Sequence, residues 1–184
     1  MHIETEEWPA FAIREPIRNR RYILNERGQI SHNLLDNFIQ NFLDGKIPPN
    51  IKSEPIPDWQ GGPVVSVVAD TYDEIVLNND KDVFIEFYTQ WCGPCKEMAP
   101  ALEALAEIYY RENVKDKVTV AKMDAEANDV PYDVIGFPWL QLFPAGSKES
   151  PIMYTGSRTM EDMAEFIREN GRHNVDVLST LMSV

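Results

Sequence analysis

The feature that most constrains the fold is an apolar run, DVFIEFYTQ (82–90), that leads directly into the two cysteines of the chain at WCGPCK. A run of this kind predicts a buried strand. The segment EMAPALEALAEIYYRE (97–112) follows and predicts a long helix. The apolar stripe of this helix comprises Met98, Leu102, Leu105 and Tyr109. A strand that passes into a helix at this point would place Cys92 at the helix N-terminus and Cys95 one turn inside.

Strands and helices alternate from residue 63 onward, and a pair of strands and a helix close the pattern. The predicted strands are VVSVV (64–68), DVFIEFYTQ, KVTVAKMDA, WLQLFP and IMYTG, and the other predicted helices are TYDEIVLN, a short one near 128–132, and TMEDMAEFIREN. The last helix begins after Thr159, which has Asp162 three residues later, and Gly171 ends it. This order predicts a small mixed α/β sandwich.

The N-terminal part of the chain repeats the end of that pattern. WPAFAIRE, RRYILNER and SHNLLDNFIQNFLDG give an aromatic-proline pair, two strands, a capped helix and a glycine. We interpret them as the closing part of a second, similar domain. The predicted organisation is a remnant at 1–49, a linker at 50–62, a catalytic domain at 63–173 and a tail at 174–184.

The composition argues against two classes of partner. Lysine and arginine number 17 against 30 aspartates and glutamates, and the formal net charge is −13. A surface this acidic disfavours nucleic acid and anionic lipid as partners. The sequence also lacks a run of about 18 apolar residues that could span a bilayer, so no membrane association is expected.

The two cysteines allow three interpretations: a metal half-site, a structural disulfide or a redox couple. His2, His32 and His173 lack the spacing of zinc ligands, so no metal is predicted. A disulfide across two residues closes too small a loop to stabilise the fold much. A redox couple is therefore favoured, because a helix N-terminus stabilises a Cys92 thiolate and Cys95 is placed to resolve a mixed disulfide.

Several segments resemble a known family. FYTQWCGPCK, followed by GFPWLQLF, resembles thioredoxin-fold oxidoreductases. IKSEPIP, AKMDA and SPIMYTGSRTMEDMAEFI resemble the second catalytic domain of fungal protein disulfide isomerases, and WPAFAIRE through NFLDGKI resembles the end of the substrate-binding domain before it. The resemblance implies a fragment or truncated form of such a protein, with a thioredoxin fold in which helices flank a central mixed sheet. It implies no cofactor.

The resemblance also assigns catalytic roles. Cys92 would be the nucleophile and Cys95 the resolving thiol. Glu86 lies among apolar neighbours in the strand, where burial would raise its pKa and let it relay a proton for Cys95. In the family this glutamate pairs with a lysine, here Lys122, and a loop arginine, here Arg158, can lower the pKa of the resolving cysteine.

Further positions are implied to tune the potential or to bind substrate. Gly93 and Pro94 lie between the cysteines, and Pro94 replaces the usual histidine, which predicts a weaker oxidant. The remaining positions would contact substrate: Trp91, Phe137, Pro138 and Trp139. Pro138 matches the family's cis-proline. Trp139 replaces a threonine and would add a large apolar face beside the sulfurs.

The expected function is exchange of disulfides in unfolded or misfolded proteins, with glutathione or another thiol–disulfide compound as donor or acceptor. The alternatives are a redox-weak, chaperone-like binding module and a cytosolic, thioredoxin-like reductase. Resemblance alone implies the endoplasmic reticulum lumen, with the cytoplasm as the alternative. Residues 1–50 would expose strand edges and apolar side chains, so we expect self-association or loose order there.

Overall fold

The structure, a computed structural model, describes residues 11–16, 20–24, 30–58, 60 and 62–181. The chain divides into two compact units, one formed by residues 1–52 and 130–133 and the other by residues 53–129 and 134–184. The cysteine pair belongs to the second unit.

The first unit contains the predicted strand-strand-helix motif. Strands β1 (Ala12–Glu15) and β2 (Arg20–Ile23) pair in antiparallel fashion, and helix α1 (His32–Leu43) follows. Ser31 caps this helix, because its hydroxyl accepts a hydrogen bond from the backbone N–H of Leu34 at 3.2 Å. Two edge-to-face ring pairs, Phe11–Phe38 and Tyr22–Phe42, join the helix to the strand pair. The ends of the predicted strands lie outside the described residues.

The second unit is built on a five-stranded mixed sheet. Its strands are β3 (Val65–Ser66), β4 (Asp82–Tyr88), β5 (Val118–Asp124), β6 (Trp139–Phe143) and β7 (Ile152–Met153). Their order is β3-β5-β4-β6-β7, with β3, β5 and β4 parallel and β6 and β7 joined by antiparallel pairing. The helices are α2 (Gly93–Arg111), α3 (Met160–Asn170) and α4 (Leu178–Leu181). The predicted fold class is confirmed.

The core explains the pattern of apolar residues. Strand β4 is central, and its side chains from Asp82 to Phe87 are all buried. The predicted stripe of α2, Met98, Leu102, Leu105 and Tyr109, is also buried, and it packs in one cluster with Phe84 and with Met163 and Ile167 of α3. Burial of β4 therefore fixes the position of its last residue, Tyr88, which lies four residues before Cys92.

Asp82 fixes the start of β4. Its carboxylate is fully buried and accepts hydrogen bonds from three backbone N–H groups, those of Ala145 at 2.8 Å and of Arg172 and His173 at 2.9 Å. Gly171 is required beside it, since a Cβ there would lie 2.6 Å from the carboxylate. The β6–β7 connection and the end of α3 are thereby tied to the central strand.

Some predicted elements differ from the structure. The strand predicted at 64–68 spans only Val65–Ser66, although the Val67 N–H still donates to the carbonyl oxygen of Lys122 at 2.8 Å. In place of the predicted helix TYDEIVLN, a 3₁₀ turn (Ala69–Thr71) is followed by a π turn (Asp73–Leu77). The short helix predicted near 128–132 is wrong. The buried Asn128 side chain instead accepts from the N–H groups of Glu54 and Ala69 and donates to the carbonyl oxygen of Asp124. These contacts hold the backbone in a non-helical path.

Candidate active site

The cysteine pair lies where β4 passes into α2. Cys92 is the N-cap residue of α2, and a disulfide joins it to Cys95. The backbone N–H of Cys95 donates to Cys92 Sγ at 3.1 Å, and both side chains are buried. Gly93 and Pro94 form the exposed first turn, where the N–H that proline lacks would have no helical partner. This geometry favours a thiolate at Cys92, because a sulfur at the helix N-terminus receives an amide N–H and the positive end of the helix dipole.

Apolar side chains adjoin the cysteines. Trp91 is 68% exposed, and its ring meets that of Phe137 edge to face with centroids 5.9 Å apart. The Phe137–Pro138 peptide bond is cis. Trp139 begins β6 opposite Phe87 of β4, and its Nε1 is buried without a hydrogen-bond partner among the described residues. Three of the predicted substrate positions, Phe137 to Trp139, are consecutive in the chain, and the ring contact with Phe137 brings Trp91 to them from 46 residues earlier.

Glu86 is a buried carboxyl group on the central strand. Its side chain is 3% exposed, and within the described part of the chain its Oε1 has no hydrogen-bond partner. Loss of hydration raises the pKa of Glu86 to about 7, although the positive charges of Lys122 and Arg158 act in the opposite direction. The predicted burial is confirmed, and the group can exchange a proton near neutral pH.

Lys122 is the register partner of Glu86 on the parallel strand β5. Its ammonium group, however, lies 3.4 Å from Oε1 of Glu103 on α2. Glu103 was missed by sequence reasoning, because the only signal in the sequence is an acidic residue beside an apolar stripe. Arg158 is exposed, precedes α3 and acts on Glu86 through its charge. The catalytic roles of these residues stay predictions.

Ile135 is another residue that sequence reasoning missed. It directly precedes the Gly136–Phe137–Pro138 segment and is 86% exposed. An isoleucine this exposed, immediately before the cis-proline segment, adds an apolar contact point to that offered by Trp91. The only signal in the sequence is an isoleucine between Val134 and Gly136, which does not distinguish an exposed side chain from a buried one.

The described residues offer neither a metal-binding cluster nor a membrane-spanning helix. No group of three or more histidine, cysteine, aspartate or glutamate side chains there could hold a metal ion. Within the same residues, no helix has the length and apolar character to cross a membrane.

The fold and the cysteine pair agree with the comparisons to known proteins. The family model named Thioredoxin matches residues 63–169, and the chain belongs to the thioredoxin family. The family and the cysteine pair support a thiol–disulfide oxidoreductase function. The predicted resemblance to protein disulfide isomerases is likewise confirmed by the relatives that the chain matches.

Protein disulfide-isomerase of Aspergillus niger is 50% identical over 180 residues, which are 97% of this chain and 35% of that protein. Protein disulfide-isomerase of Humicola insolens is 48% identical over 177 residues, 96% of this chain and 35% of that protein. The first thioredoxin domain of mouse protein disulfide-isomerase A4 is a structural relative with a TM-score of 0.50 and 28% identity, over 69% of this chain and 84% of that domain. The chain thus spans about a third of the length of the curated relatives.

Proposed function

We propose that this chain catalyses thiol–disulfide exchange in protein substrates through the Cys92–Cys95 couple, as a disulfide isomerase. The observation that carries the proposal is the disulfide at the N-terminus of α2, with the Cys95 amide directed at Cys92 Sγ. The names of the relatives support isomerisation of protein disulfides. Residues 63–173 would form the catalytic domain, 1–49 a substrate-binding remnant, 50–62 a linker and 174–184 a tail.

The chemistry of oxidation balances in two steps. A substrate thiolate attacks Cys92 Sγ, a substrate–Cys92 disulfide forms, and the Cys92–Cys95 bond breaks with Cys95 leaving as a thiolate that takes up a proton. A second substrate thiolate then attacks the substrate sulfur and releases Cys92 as a thiolate. The substrate loses two electrons and the cysteine pair gains them. Isomerisation begins instead with attack of the Cys92 thiolate on a substrate disulfide and returns the pair unchanged.

Glu86 would hold the proton that Cys95 gives up when it attacks the mixed disulfide. A general base works best when its pKa lies near the operating pH, and the pKa of Glu86 is about 7. Arg158 would assist by favouring the Cys95 thiolate. Glutathione, or another thiol–disulfide compound, is expected to regenerate the pair: its disulfide form would take the two electrons from the dithiol left by substrate oxidation, and its thiol form would reduce the pair in the reverse direction. The resemblance supports action in the endoplasmic reticulum lumen, with the cytoplasm as the alternative.

A binding function is the second candidate. Trp91 and Ile135, exposed by 68% and 86%, could hold unfolded chains without any redox step. The two candidates differ in their dependence on the cysteines: removal of both sulfurs abolishes exchange and leaves binding of an unfolded chain intact.

The experiment that tests the exchange reaction uses two single variants and a protein substrate with scrambled disulfides. Cys95→Ala should accumulate a mixed disulfide between Cys92 and the substrate, because the resolving thiol is gone. Cys92→Ala should neither exchange nor trap. The adducts are measured by non-reducing electrophoresis and mass spectrometry, and equal trapping by both variants would contradict the assignment.

A further inference from the structure

Two carboxylates on different elements lie near one ammonium group. Glu86 of β4 and Lys122 of β5 are register partners in neighbouring parallel strands, so their side chains emerge on the same face of the sheet. The Lys122 ammonium nevertheless contacts Glu103 Oε1 at 3.4 Å, whereas Glu86 Oε1 has no hydrogen-bond partner among the described residues. The lysine is thus engaged on the helix side, and Oε1 of the strand carboxyl group receives no hydrogen bond from it.

The charged groups around Glu86 come from several elements. Lys122 acts from β5 and Arg158 from the segment before α3, while the partner on β6 is the apolar Leu140. On the same strand, burial raises the pKa of the Tyr88 phenol, and the negative charges of Asp124, Glu54 and Glu86 raise it further. Of the two cations, Lys122 is the one with a carboxylate partner on α2.

We propose that Glu103 is a positioning residue that holds the Lys122 ammonium away from Glu86 and so keeps the buried carboxyl able to take up and release a proton. The inference rests on the proposed function, in which Glu86 serves as the proton acceptor for Cys95. The proposed effect of Glu103 on Glu86 is indirect, because it passes through the Lys122 ammonium that Glu103 holds.

The exposure of the ion pair makes this arrangement adjustable. The Lys122 side chain is 35% exposed and that of Glu103 is 46% exposed, so neither is locked by packing. Without the Glu103 carboxylate, the Lys122 ammonium is expected to turn towards Glu86, its register partner on the neighbouring strand. A cation that moves within about 4–6 Å of a carboxylate lowers its pKa by roughly one to three units, and solvent access to Lys122 places the expected change near the lower end.

The first experiment titrates Glu86 directly, in the oxidised protein, by carbon-13 NMR of its side-chain carboxyl. In Glu103→Gln the titration midpoint should fall by about one pH unit relative to the parent. Glu103→Asp retains the negative charge, so the Glu86 midpoint should stay close to that of the parent. Glu107→Gln is the matched control, since Glu107 lies on the same helix and pairs with Arg111 at 2.7 Å.

A double substitution tests whether the effect passes through Lys122. In a Lys122→Gln background, Glu103→Gln should no longer move the Glu86 midpoint, since the ammonium that Glu103 holds is absent. An unchanged midpoint in Glu103→Gln, or an equal change with and without Lys122, would overturn the inference.

The second experiment measures the pH profile of disulfide exchange for the same variants. If the Glu86 midpoint falls and the profile moves with it to lower pH, both the positioning role and the proton-acceptor role are supported. If the midpoint falls while the profile stays in place, Glu103 still positions Lys122, and the proposed role of Glu86 in exchange is wrong.

Discussion

The buried Glu86 carboxyl should make the stability of this protein decrease as the pH rises. Its pKa is raised from 4.5 to about 7, because burial removes hydration from the charged form. At 1.36 kcal/mol for each pKa unit, this difference corresponds to about 3 kcal/mol. The folded state binds a proton that the unfolded state has already lost between these two values. The stabilising contribution is therefore complete below about pH 4.5 and is lost as the pH rises through about 7.

Glu86→Gln is the perturbation that isolates this effect. Glutamine is nearly isosteric and stays neutral, so the variant should show a flatter dependence of the free energy of unfolding on pH. Between about pH 4 and pH 8 the parent should lose about 3 kcal/mol more than the variant. A constant offset from the new amide group, which needs a partner of its own, does not affect this difference.

The assay is urea denaturation at a series of pH values. The protein is kept oxidised, because cysteines joined in a disulfide do not titrate. Arg168→Gln is a suitable control, because that exposed side chain pairs with Glu165 on the surface of α3. Parallel curves for the parent and Glu86→Gln between pH 4 and pH 8 would refute the reasoning that burial controls this carboxyl group.

Three other predictions concern the redox pair, the buried anchor and the N-terminal unit. Pro94→His should raise the reduction potential towards that of disulfide isomerases, a range of about 90 mV, measured by equilibration with glutathione; an unchanged potential would contradict it. Asp82→Ala should cost at least about 3 kcal/mol in urea denaturation, since three backbone N–H groups lose their acceptor, whereas the exposed Asp80→Ala should cost under about 0.5 kcal/mol. A chain beginning near Ser53 should be monomeric by light scattering while the whole chain self-associates; equal masses would contradict the prediction for residues 1–50.

The sequence was informative where one local pattern determined the structure. The apolar run of β4, the stripe of α2 and the two cysteines between them fixed the fold class and the position of Cys92 at a helix N-terminus. Burial of Glu86 followed from its apolar neighbours along a single strand. Each of these inferences depends on residues close together in the chain.

The sequence was uninformative where side chains from distant elements decide the outcome. Glu103 and Lys122 are 19 residues apart, and nothing in either local pattern indicates that they meet. The helix predicted near Asn128 is absent, and contacts of that side chain with Glu54 and Ala69, 74 and 59 residues away, hold the backbone in another path. Such contacts depend on the assembled sheet and are absent from any short window of sequence.

The hydrogen bonds of Asp82 also bear on how the chain folds during synthesis. The donors lie 63, 90 and 91 residues after Asp82 in the chain, and the last two are the backbone N–H groups of Arg172 and His173. While the chain emerges from the ribosome, the central strand is available long before these donors are. A carboxylate cannot enter the core without them at low cost, so the strand that leads to the cysteines should settle only after residue 173 has been translated. The cysteines would remain accessible to oxidants and to partner thiols throughout that interval.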